Sequence, residues 1–193
     1  MIVPHRWHKR WFFNVLLLAL SAGCATVTAP PVGPDGFVLR GKLAVVEGER
    51  SVSARFLWRQ TGDTFAIDLW GPFGQGQMHL DGDRRELVLR DAAGNVLTRG
   101  SHEAVMQAQL GWSLPLAVLP DWVRGRPHAG LPSANRATDA EGRLTSFTQL
   151  DWTVALGRWR PSEKSSAGRE MPHQVSARRG VHRVRLAISD WQF

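Results

Sequence analysis

Residues 51–59 read Ser51-Val52-Ser53-Ala54-Arg55-Phe56-Leu57-Trp58-Arg59. Val52, Ala54, Phe56 and Trp58 fall on one side of a period-two pattern, with Ser51, Ser53, Arg55 and Arg59 on the other. Successive side chains of a strand point to opposite faces, so the pattern predicts a strand with one buried and one wet face. The same period runs outward in both directions. Upstream, Phe37, Leu39, Leu43 and Val45 share a face opposite Arg40 and Lys42. Downstream, Phe65, Ile67 and Leu69 form the next face, followed by Met78 with Leu80 and Leu87 with Leu89, and residues 91–95 read as a turn. Towards the C-terminus, residues 144–150 and 152–159 both read as strands, and their boundary at Asp151 is left open by the pattern. Residues 160–170 read as a long exposed loop. In the last strand Val184, Leu186 and Ile188 alternate with Arg183, Arg185 and Ala187.

Two helical pieces interrupt the strands. Ser101 is placed to cap a helix whose first turn carries Glu103, and Gly111 marks its end. Residues 114–125 carry an apolar stripe of Leu116, Leu119, Trp122 and Val123, and Pro120 divides the segment into two short turns. Many antiparallel strands with one helical insertion give a mainly β domain with a helical lid. The expected form is a strongly curved sheet or open barrel whose concave side the helices cover. Such a barrel is either filled by side chains or holds a ligand.

Composition narrows the function. The chain has 193 residues, enough for one domain with appendages. Its single cysteine excludes an internal disulfide framework and any cysteine-cluster metal site. That cysteine is Cys24, and what precedes it resembles an export signal. Arg6, Lys9 and Arg10 make a basic start, an apolar run from Trp11 to Leu20 follows, and Ser21, Ala22 and Gly23 are small. The run is shorter than the roughly 20 residues that span a bilayer. Leu20-Ser21-Ala22-Gly23-Cys24 resembles a bacterial lipobox, with Ser21 in the place usually held by a branched apolar residue. The alternative is ordinary signal cleavage that leaves a free thiol.

Residues 25–36 hold three prolines and two glycines with no apolar periodicity, a semi-extended tether. The division expected is therefore a signal over 1–23, an acylated cysteine with its tether over 24–36, and a folded domain over 37–193. Removing the signal lowers the formal charge from +7 to +4, because three of the 24 Lys and Arg residues leave with it and no acid does. That weakens the case for a nucleic-acid partner.

Catalytic patterns are thin. Gly111-Trp112-Ser113 lacks the second glycine of a nucleophile elbow, and Gly71, Gly74 and Gly76 miss the dinucleotide spacing. The histidines show no metal-ligand pairing on a helix, so neither a catalytic residue nor a metal or cofactor is assigned. Arg178, Arg179, Arg183 and Arg185 are either a basic strip for anionic head groups or the solvated outer face of a strand. Gly71-Pro72-Phe73-Gly74 lies between two alternating strands and puts a phenylalanine in an exposed connection. Phe73 either folds back onto the sheet or is an apolar finger for a membrane or a partner's groove.

The ordered set of Cys24, Arg40-Gly41, residues 54–62, Gly71-Pro72-Phe73-Gly74, Pro115-Leu116, Leu119, Trp122, Gly125-Arg126-Pro127, Met171-Pro172, residues 183–186 and Trp191 resembles the LolB family. The resemblance implies an incomplete antiparallel β-barrel wrapped around short helices and an apolar cavity. It also implies a monomeric receptor, anchored through Cys24 in the outer membrane and facing the periplasm. Such a receptor accepts lipoproteins from the carrier LolA and incorporates them into that membrane, with no cofactor and no nucleic acid involved. The cavity would hold acyl chains, since burial stabilises them by about 0.8 kcal/mol per CH₂. Phe73 matches the apolar tip of the family's protruding loop. Ala25 is compatible with outer-membrane sorting. Phe56, Trp58, Ile67 and Leu69 are then candidates for the cavity wall, and Leu116, Leu119 and Trp122 for the lid. A soluble LolA-like carrier and a small envelope enzyme are the rival readings.

Overall fold

The computed structural model describes residues 36–71, 76–162 and 170–193. Among them, eleven strands form one antiparallel sheet. The first six are β1 (Phe37–Glu47), β2 (Arg50–Thr61), β3 (Thr64–Trp70), β4 (Met78–Gly82), β5 (Leu87–Asp91) and β6 (Val96–Gly100). The rest are β7 (Ala134–Thr138), β8 (Leu144–Gln149), β9 (Trp152–Pro161), β10 (Glu170–Arg179) and β11 (His182–Gln192). The order across the sheet is β6-β5-β4-β3-β2-β1-β11-β10-β9-β8-β7. Every neighbour pair is also a sequence neighbour except β1 with β11, the pairing that joins the first and last of the described strands.

The period-two expectation is borne out in the register. Trp191, Leu39, Trp58, Ile67, Leu80 and Leu89 stand directly opposite one another on β11, β1, β2, β3, β4 and β5, so they line one face. β1 and β11 shift register between Arg40 and Gly41. At that bulge a Cβ on Gly41 would collide with the backbone of Ala187, so only glycine fits.

The sheet is open, with β6 and β7 as its edges. The segment between those edges carries α1 (His102–Leu110), a 3₁₀ turn (Leu116–Val118) and α2 (Leu119–Val123). The α1 boundaries follow the expected chemistry. The Ser101 hydroxyl accepts from the Ala104 N–H at 3.2 Å, and Gly111 closes the helix at φ 76°. Pro120 sits in the first turn of α2, where its missing N–H costs nothing, and so the segment splits into two short turns. Gly125, at φ 81°, ends α2 against the Trp159 indole, which a Cβ would strike.

One hydrophobic cluster joins Phe56 and Trp58 of β2, Trp122 of α2, Phe147 of β8 and Trp152 of β9. β2 and β8 are five neighbours apart, about 24 Å on a flat sheet at about 4.8 Å per step. The helical segment touches both wings, Trp122 against Phe147 of β8 and Arg124 4.7 Å over Phe37 of β1, so the sheet curls around it. Edge-to-face ring pairs knit it: Phe37 with Trp58 at 5.2 Å, Phe37 with Trp191 at 5.6 Å, and Trp122 with Phe147 at 6.2 Å.

Three features depart from the sequence expectations. β7 is an edge strand exposed at every position, so no alternation announces it. Arg160 and Pro161 belong to β9, and Glu170 to β10, which shortens the loop expected over 160–170 at both ends. Arg179 is not on the outer face with Arg178, Arg183 and Arg185. Its guanidinium stacks 4.9 Å over the Trp152 ring and donates to the Ser113 carbonyl at 3.1 Å, which ties the helical segment to β10.

Candidate functional site

The candidate site lies on the inner face, where two hydrophobic clusters meet. The larger holds most of the sheet's interior side chains. The smaller gathers Leu80, Leu87 and Leu89 of the β4–β5 hairpin with Val105 and Met106 of α1 and Leu116 of the 3₁₀ turn. Phe65, Ile67, Leu69, Leu110, Leu114 and Leu119 pack against both clusters, and all are only partly buried. They form an apolar seam with accessible surface between the sheet and the helical segment.

The residues expected to line a cavity separate into two groups. Ile67, Leu69 and Leu119 lie in the seam, and Leu116 borders it from the smaller cluster. Phe56, Trp58 and Trp122 are buried in the larger cluster behind it. Two of these indoles are pinned by buried glutamines: Trp58 Nε1 donates to Gln60 Oε1 at 3.0 Å and Trp122 Nε1 to Gln149 Oε1 at 2.8 Å. A pinned ring holds its rotamer, so this group makes a rigid back wall. Phe65, Leu110 and Leu114 were not singled out from the sequence. Phe65 carried the alternation signal, whereas Leu110 and Leu114 flank the Gly111 turn, where no periodicity shows which way a side chain faces.

A hollow of about 420 Å³ adjoins Leu116, lined also by Leu114, Pro115, Ala117, Trp152 and Arg179. Its far wall is the two-residue turn Leu150-Asp151 between β8 and β9, at φ 53° and 61°. The hollow is mostly apolar, with Arg179, His102 and the carboxylates of Glu103 and Asp151 also among its lining residues.

One end of the sheet differs from the other. The β1–β2, β3–β4, β5–β6, β8–β9 and β10–β11 connections all lie there. Val52, Met78, Val96, Leu97, Leu150 and Val181, most of the exposed large apolar side chains, are in or beside those connections. Val52 is 69% exposed and Val181 65%. Gly71 is described at the start of the β3–β4 connection, whereas Pro72, Phe73, Gly74 and Cys24 lie outside the described residues.

His79 pairs with Asp68 at 2.6 Å on the outer face, and His102 Nε2 meets the Asp83 carbonyl at 2.6 Å. Among the described residues no group of three or more His, Cys, Asp and Glu side chains is placed to hold a metal ion. No described helix is long and apolar enough to cross a membrane.

Comparison with known proteins places this architecture. Residues 35–191 match the family model described as "Outer membrane lipoprotein LolB". The chain is 32% identical to the outer-membrane lipoprotein LolB of Halorhodospira halophila over 200 aligned positions, 96% of each chain. It is 35% identical to that of Bordetella pertussis over 163 positions, 81% of each. A solved structure from Vibrio parahaemolyticus, described as a "putative outer membrane lipoprotein-sorting protein domain", aligns at TM-score 0.45 and 8% identity over 82% of this chain and 85% of that one. With the family model covering all but the last two described residues, the chain belongs to the LolB family of outer-membrane lipoproteins.

Proposed function

We propose that the domain is a non-catalytic, monomeric receptor for lipoproteins. It accepts their acyl chains from the periplasmic carrier LolA at the inner-face seam and passes them into the outer membrane, where Cys24 anchors it with the domain facing the periplasm. The seam carries this reading. Six apolar side chains pack against both clusters and all stay partly accessible, so apolar surface remains open to a ligand where the clusters meet. An acyl chain entering it replaces water against those surfaces at about 25 cal/mol per Å². Handover then runs from one apolar surface to another, and no bond is made or broken.

The apolar end of the sheet supports a membrane-facing role for the β3–β4 connection. By sequence, that connection carries Phe73 between Gly71-Pro72 and Gly74, and Phe73 is the candidate membrane-inserting residue. Transfer of a labelled lipoprotein from purified LolA to this protein, followed by incorporation into vesicles, tests both steps. Phe73→Glu should accept cargo normally and lose incorporation at least tenfold. Normal incorporation by that variant removes the loop's role. Leu119→Asp should instead fail to accept cargo while keeping a folded circular-dichroism spectrum, and normal uptake by it removes the seam from the mechanism.

A further inference from the structure

The outer face of the sheet carries a second concavity with different chemistry. Trp70, Arg55, Lys42, Ala187, Gln174 and Gly157 stand directly opposite one another across β3, β2, β1, β11, β10 and β9. Arg55 and Lys42 are thus cross-strand neighbours, an arrangement that like charges disfavour. Beside them the hydrogen-bond ladder opens. β1 and β11 shift register at Gly41, and β10 pairs with β11 only from Gln174 onward. Side chains bridge the opening instead: His173 Nδ1 donates to the Ile188 carbonyl at 3.0 Å, and the Ser189 hydroxyl donates to the Arg40 carbonyl at 3.0 Å.

The result is a hollow of about 400 Å³ walled by Lys42, Arg55, Arg158, Arg160, His173 and Ser189. A second hollow of about 460 Å³ adjoins it, shares Lys42 and Arg55, and adds Arg185. No Asp or Glu lines either one among the described residues. Elsewhere on the same face cations meet acids: Arg59 and His79 share Asp68, and Arg90 faces Asp81. Arg158 is held at φ 54° within β9, a left-handed conformation that arginine rarely adopts.

We propose that this hollow binds a phosphate group, supplied by a lipid head group or by soluble phosphate. Guanidinium forks from Arg55, Arg158 and Arg160 match phosphate oxygens in pairs, with the Lys42 ammonium as a further charge. The acyl groups on a lipoprotein's N-terminal cysteine carry no phosphate, so the ligand is not the cargo. The site faces away from the seam, and both can be filled at once.

The test uses the mature lipidated protein in dodecyl maltoside, a detergent without phosphate. Inorganic phosphate, dihexanoyl phosphatidic acid and dihexanoyl glycerol are titrated by calorimetry. Saturable binding of a phosphate-bearing probe, weakened at least tenfold in R55Q/R160Q and unchanged in R136Q, supports the site. Lys42→Gln alone, at an exposed position, should weaken it severalfold and serves if the double variant misfolds. Tighter binding of phosphatidic acid than of phosphate names the lipid head group as the source, and equal binding names soluble phosphate. The proposal is overturned if neither phosphate probe saturates, if R136Q weakens binding as much, or if dihexanoyl glycerol binds as well as phosphatidic acid. Cargo uptake from LolA, measured on the same preparations, separates failure of this site from failure of the seam.

Discussion

Gln149 shows how much one buried polar side chain can organise. It is 1% exposed, and its Oε1 accepts from the Trp122 indole at 2.8 Å and from the His128 amide at 2.9 Å. Its Nε2 donates to the carbonyls of His128 at 3.0 Å and Leu131 at 3.1 Å. It therefore fastens α2 and the chain leading into β7 onto β8. Gln149→Leu keeps the volume but orphans an indole N–H, an amide and two carbonyls. Each orphan costs about 1–3 kcal/mol, reduced where water reaches it, so a net loss of about 3 kcal/mol is expected in urea unfolding. None of this was legible in the sequence, because a glutamine within a polar stretch carries no periodicity. The cavity candidates were legible as a set, since alternation identifies an inward-facing residue. It does not say whether that residue meets a packed core, as Trp58 does, or a seam, as Ile67 does.

At the scale of elements, turns carry strain and titration. The β8–β9 turn places Leu150 and Asp151 both at positive φ, which a non-glycine residue adopts at a cost of roughly 1–2 kcal/mol. This geometry is what Asn-Gly supplies without strain. Leu150→Asn with Asp151→Gly should therefore stabilise the domain by about 1–2 kcal/mol, seen as a rise of several degrees in Tm. The β5–β6 turn is tied by Asp91, whose carboxylate accepts from the Asn95 side-chain amide at 3.0 Å and from the backbone N–H groups of Asn95 and Ala93 at 2.9 Å each. The Asn95 side chain first, and then those N–H groups, hold the Asp91 carboxyl below its ordinary 3.8. A depressed carboxyl stabilises the fold at pH values above its unfolded value, and that contribution disappears as pH falls through the lower folded value. Asp91→Ala should lower stability at pH 7, and the difference from the parent protein should shrink between pH 4 and the acid limit. A constant difference in denaturant midpoints across that range would contradict the assignment. The helix caps were readable residue by residue, because Ser101 and Gly111 act locally. The β8–β9 boundary was not, because Leu150 gives no turn signal.

For the molecule as a whole, the open sheet and the segment joining its edges form one structural problem. β6 and β7 are the two ends of an eleven-stranded order, and the helices between them occupy the face that both wings bury. Six side chains pack against both clusters, so neither cluster can melt without stripping cover from the other. Tryptophan fluorescence and far-UV circular dichroism should report one urea transition with the same midpoint. Two separated midpoints would mean that the β4–β5–α1 cluster unfolds independently.

The sequence by itself determined the alternating faces of most strands, the ends of α1 and the likeness to a lipoprotein-receptor family. These follow from short-range rules: a period of two, a capping hydroxyl, a glycine at positive φ. The tertiary structure alone decided that β1 pairs with β11, that Arg179 turns inward while Arg178 does not, and that two clusters leave a seam between them. It also gathered Lys42, Arg55, Arg158 and Arg160 around one hollow. The physical reason is separation along the chain. Residues more than a hundred positions apart become neighbours only when sheet register and curl bring them together, and no local pattern encodes that distance.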